Sequence, residues 1–163
     1  MTARPVRLEV AEPVAGREFS RTYLGRADQV GHVREFVRGV LPASDMADDA
    51  VVAVSELSTN SIRHSRSGQP GGLFTVGVVL RPGYYVRVEV SDDGGRWDVR
   101  VCGAERGRGL AIVAALAGEA NWGVAGDETA RTVWARFGWP CAAVQETSSP
   151  AEARTAPGEA AHA

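Results

Sequence analysis

Apolar residues along this chain keep two rhythms. Val30, Val33, Phe36, Val37 and Val40 recur every three or four positions, which predicts a helix over residues 28–41 with one face turned inward. Asp28 stands where an N-cap is expected, and Pro42 stops the run. Ser44 or Asp45 is placed to cap a second helix over 46–65, with Val51, Val54, Leu57 and Ile62 available to a core. The rhythm then changes to period two. Tyr84, Val86, Val88 and Val90 alternate with Tyr85, Arg87, Glu89 and Ser91, so one face of a strand is apolar and the other polar. A strand over 73–80 precedes it, and Arg81-Pro82-Gly83 between them predicts a hairpin. Further strands are expected over 18–24, 122–124 and 129–137, and a third helix over 109–120. The order β-α-α-β-β-loop-α-β-β predicts an α/β two-layer sandwich, with helices on one face of a mixed, mainly antiparallel sheet.

Length and composition narrow this only a little. A chain of 163 residues suits one domain, expected over 17–139, with a flexible start over 1–16. Residues 140–163 are rich in Ala, Glu, Ser, Thr and Pro, too poor in large apolar groups to offset the entropy of ordering, and are expected to be disordered. The net charge of −2 advertises no basic surface, so no direct nucleic-acid contact is expected. All 18 basic residues are arginine, which excludes the lysine-bearing P-loop and the strand lysine of eukaryotic-type protein kinases. Cys102 and Cys141 lack metal or redox spacing, and no apolar leader or membrane-length run is present, so a cytoplasmic protein is expected.

The chemistry concentrates in three places. Glu56, Asn60 and His64 lie four apart on the second helix and share one row. That row is either a solvated face or the wall of a pocket. Ser55, Ser58, Thr59 and Ser61 make the middle of the helix unusually polar, which a pocket would explain. Asn and Glu oxygens suit Mg²⁺, a hard cation that keeps several waters and bridges nucleotide phosphates. Asp92-Asp93-Gly94-Gly95 closes an apolar strand. It is either a plain turn or a base-binding corner where Asp92 accepts from an exocyclic amine of adenine. Gly107-Arg108-Gly109-Leu110 opens the third helix, whose free N–H groups and positive dipole end attract phosphate. Polar residues 104–106 precede it and Ile112 replaces the last glycine, so it is not a dinucleotide fingerprint. Residues 96–106 are the expected lid over a nucleotide.

Taken in order, these elements resemble the N, G1 and G2 boxes of the GHKL ATP-binding superfamily, which includes gyrase B, MutL and the catalytic domains of sensor histidine kinases. The likeness is greatest to small bacterial anti-sigma-factor serine/threonine kinases and covers about residues 18–137. It implies the Bergerat-type fold and ATP with Mg²⁺ as cofactors. It further implies Glu56 as catalytic base, Asn60 as metal ligand and Asp92 as adenine anchor. Gly94 would shape the adenine pocket, Gly107, Gly109 and Leu110 would form the phosphate turn with Arg108 beside it, and Thr132 would sit near the base. The implied partners are a sigma factor and a STAS-type antagonist phosphorylated on serine, with a homodimer expected by analogy. An alternative is a non-catalytic ATP- or ADP-binding module that acts by sequestration. Two departures favour that alternative: the second glycine of the usual Asp-x-Gly-x-Gly box is replaced by Arg96, and the expected lid is short.

Overall fold

The computed structural model describes residues 16–95 and 108–139. The expectations for the chain start, the lid over 96–106, Gly107 and the tail over 140–163 lie outside these residues. Within them, strand β1 (Arg17–Leu24) is followed by helices α1 (Gln29–Val40) and α2 (Asp45–His64). Strands β2 (Leu73–Arg81) and β3 (Tyr85–Asp92), helix α3 (Arg108–Ala117), and strands β4 (Trp122–Gly126) and β5 (Arg131–Gly138) complete the fold. The sheet order is β1-β2-β3-β5-β4, and every pairing is antiparallel, so the expected mixed sheet is antiparallel throughout. This is the expected α/β sandwich.

Alternation along β2, β3 and β5 sends Phe74, Val76, Val78, Val86, Val88, Val90, Val133, Ala135 and Phe137 to one face. α2 packs on that face with α1 and α3 on either side. Val33 and Val37 of α1, Val54 and Leu57 of α2 and Val113 of α3 close the core at no more than 1% exposure. Each such side chain stabilises the fold by roughly 1.5–3 kcal/mol over its exposed state. The opposite face carries polar and aromatic groups. There Arg87 lies over Trp134 at 4.8 Å and Arg136 over Tyr85 at 5.5 Å.

Local details refine the expected boundaries. Ser44 is the cap of α2, its Oγ accepting from the Ala47 N–H at 3.3 Å. Asp28 does not cap α1; its carboxylate pairs with Arg26 at 3.1 Å instead. Tyr84 is not on the apolar face of β3. It belongs to the hairpin turn, 60% exposed, and its N–H donates to the Arg81 carbonyl at 2.9 Å. α3 stops at Ala117 because Gly118 turns the chain at φ +87°. β5 starts at Arg131 because Asp127 accepts from the Thr129 N–H and hydroxyl, folding 127–130 into a turn.

Candidate functional site

α2 runs across the apolar face of the sheet, so a polar row on its flank stands between sheet and solvent. Glu56, Asn60 and His64 form that row and are half-buried. Together with Thr59, Arg63, Arg108 and Gly109 they line an open cleft of about 310 Å³. The row therefore faces a cleft. Neither Glu56 nor Asn60 makes a side-chain hydrogen bond to another described residue. Part of the polarity of α2 has a different cause. The Ser55 and Thr59 hydroxyls donate back to the Val51 and Ser55 carbonyls at 2.7 and 2.8 Å, a local bond open to any such residue in a helix.

The start of α3 meets this row closely. A Cβ on Gly109 would lie 2.7 Å from Oε2 of Glu56 and 3.4 Å from Nδ2 of Asn60. Glycine lets the helix backbone come that near the carboxylate without moving the Glu56 side chain. The helix N-terminus, an amide, a carboxylate and two arginines thus converge on one cleft. Arg63 was not expected there; its place in the same stretch of α2, one turn beyond Asn60, is the signal that would have found it. Leu110 is buried rather than part of an exposed turn.

A second, smaller space continues from the first, sharing Asn60 and His64 in its wall. Its walls are apolar at Leu57, Leu110 and Val133, with Ser61 and Asp92 as polar groups. Asp92 ends β3 on the core side of the sheet and is only 7% exposed. Its Oδ1 accepts from the Gly94 N–H at 2.9 Å, so the box does form a tight turn. Gly94 holds φ +64°, and a Cβ there would run into the Glu128 carbonyl. Its close approach is therefore to the turn before β5. The Gly95 N–H donates to Glu128 O at 2.9 Å, and Asp93 N–H donates to the buried Ser67 hydroxyl at 2.9 Å.

Register decides the rest of this end. Asp92 faces Arg131 across the β3–β5 pairing, and Ser91 faces Thr132. Side chains alternate along a strand. Arg131 therefore points into the core side, 5% exposed, with Nη2 at 3.2 Å from both Asp92 oxygens and 3.5 Å from the His64 carbonyl. Thr132 points to the opposite face, where its hydroxyl bonds that of Ser91 at 2.8 Å. The structure does not bring Thr132 to this site; it brings Arg131. Glu56, Asn60, Asp92, Arg108, Gly109 and Leu110 do gather around one continuous groove, whereas Gly94 packs against the turn before β5 and lines neither space. No helix of the described residues is long and apolar enough to cross a membrane.

A search of curated proteins returns no match. A family model, the histidine kinase-like ATPase domain, matches residues 24–137, which span every described element from the end of β1 to β5. With the antiparallel sheet, the helix layer and the groove between α2 and α3 in place, the chain belongs to the histidine kinase-like ATPase domain family, a family of ATP-binding domains.

Proposed function

We propose that this protein is a Mg-ATP-dependent serine/threonine kinase that phosphorylates a STAS-domain antagonist and, in its other state, binds a sigma factor. The observation that carries the reading is the approach of the α3 N-terminus to Glu56 and Asn60 within one open cleft. A triphosphate with its cation suits that end. The helix terminus and Arg63 and Arg108 favour anionic oxygens, and Asn60 offers a hard oxygen ligand. Among the described residues no group of three or more His, Cys, Asp or Glu could hold a metal by itself. Mg²⁺ would then rely on Asn60, waters and phosphate oxygens, which is its usual habit.

ATP supplies the phosphoryl group. Glu56 accepts the proton of the incoming serine hydroxyl as its oxygen bonds to phosphorus, and the bond to the ADP oxygen breaks. Asn60 would hold the cation, which would neutralise phosphate charge, and Gly109 lets the helix start lie close to that site, so catalysis rests on position and charge. A second reading, a nucleotide-binding module that regulates by contact alone, is favoured by one observation: Asp92 is already held by Arg131.

The test is incubation with Mg-ATP and purified STAS-domain proteins, read by intact mass. An added phosphate that Glu56→Ala abolishes, while ATP binding persists, is the expected result. Transfer that survives in Glu56→Ala removes the assigned base. Binding of ATP with no transfer to any STAS partner leaves the contact-only reading.

A further inference from the structure

The two ends of the groove are not equally ready for a nucleotide. Beside the open cleft, the space bounded by Leu57, Ser61, Asp92, Leu110, Arg131 and Val133 has the make-up of a base pocket: apolar walls for ring faces and a few polar groups for ring edges. Its free volume is about 10 Å³. That is room for about one water, and far too little for a purine. The Ser61 hydroxyl in its wall is 2% exposed and has no hydrogen-bond partner among the described residues. Arg131 stands in the same wall, and its guanidinium holds both oxygens of Asp92.

We propose that Arg131 is a built-in plug of the base pocket and the residue that determines nucleotide affinity and base selectivity. This rests on the reading of the groove as an ATP site. A purine reaches Asp92 and Ser61 only after the guanidinium leaves. The affinity for ATP is therefore reduced by the fraction of molecules in which Arg131 is already displaced. The triphosphate end is untouched by this equilibrium. In the plugged state the cleft still takes a polyphosphate and discriminates poorly among bases. In the displaced state Asp92 is released to accept from an exocyclic amine.

The experiment is calorimetric titration of the full chain in Mg²⁺ buffer, comparing wild type, Arg131→Thr and Arg131→Gln. The probes are ATP and inorganic tripolyphosphate. Both variants are expected to bind ATP about tenfold tighter or more, with tripolyphosphate binding unchanged. ATP bound by wild type and no tighter by either variant overturns the plug and leaves the ATP site standing. Loss of ATP binding in all three, with folding intact, overturns the plug and the ATP reading together. A measurement on wild type needs no variant to fold. The Arg131 Nε–Hε resonance is expected to shift with ATP and to stay with tripolyphosphate. An ATP-saturated protein in which it does not move overturns the proposal.

Discussion

The groove has two ends built on different physics. At the proposed phosphate end, charged and polar groups stand half-exposed around about 310 Å³ of open space, and Glu56 and Asn60 make no side-chain hydrogen bond to another described residue. At the proposed base end, an aspartate and an arginine are nearly sealed from water and paired with each other. A group that waits for a ligand can be removed without harming the fold. A group that pairs internally cannot. The difference separates residues whose loss changes chemistry from residues whose loss changes stability.

The largest effect belongs to the open end. Glu56→Gln is expected to lower phosphotransfer by about 10²–10⁴-fold, the usual contribution of a positioned base. Unfolding free energy should stay within about 0.5 kcal/mol, because no described partner is lost. Single-turnover kinetics beside a urea melt reads both quantities. A large loss of stability would merge the two ends into one structural unit and break the contrast.

Asp92→Ala is the matching test of the closed end. It leaves the Arg131 charge buried without its carboxylate, which costs about 3–5 kcal/mol in such pairs. Replacing both, as Asp92→Leu with Arg131→Met, should recover most of that loss, since an apolar pair of similar volume removes two desolvated charges at once. Urea midpoints of the single and double variants decide it. A single variant as stable as wild type would mean that water reaches the pair freely.

Much of this was legible in the sequence, and the exception teaches most. The row of Glu56, Asn60 and His64 follows from helical spacing alone, which needs no knowledge of neighbours. The α2–α3 cleft then needed only Gly109 at the right helix end. Thr132 was misplaced because a strand's partner register is a long-range property, and a shift of one residue reverses every side chain. A signal was nevertheless present. Arg131 keeps step with Val133, Ala135 and Phe137, and Asp92 with Val86, Val88 and Val90. Two opposite charges, each at the end of an apolar face, demand each other once both faces are buried. Whether residues 96–106 form a lid belongs to the part of the chain outside the described residues.

Two glycines carry the contrast down to single atoms. Gly94→Ala forces a side chain onto φ +64° and against the Glu128 backbone, which has no room to yield. A loss of about 1–3 kcal/mol is expected. Gly109→Ala presses on the flexible tip of Glu56 and otherwise makes ordinary contact with the Asn60 amide. It should leave stability unchanged or raise it by up to about 1 kcal/mol through helix propensity. By pushing the carboxylate aside it should still reduce phosphotransfer. Thermal melts and transfer rates for the two variants would cross over, one losing stability and the other activity.

The smallest effect concerns the floor beneath the base end. Glu128 and Thr129 sit in the turn before β5, where their carbonyls accept from Arg66 and, at Glu128, from the Gly95 N–H. Asp127 builds that turn. Bonds first from the Thr129 hydroxyl, then from the Thr129 and Ala130 N–H groups, hold its carboxyl below its ordinary 3.8. A carboxylate lowered on folding stabilises the folded chain above its unfolded value, and that contribution fades as pH falls through the still lower folded value. The turn should therefore loosen below about pH 3.8 while α2 and the phosphate end keep their order. Hydrogen exchange would show it as earlier exposure of the Gly95 amide than of the α2 amides, a gap that Asp127→Asn should remove by making the turn insensitive to acid. Equal acid response at both ends in wild type would mean that the base end draws its order from the Asp92–Arg131 pair alone, without help from the turn below it.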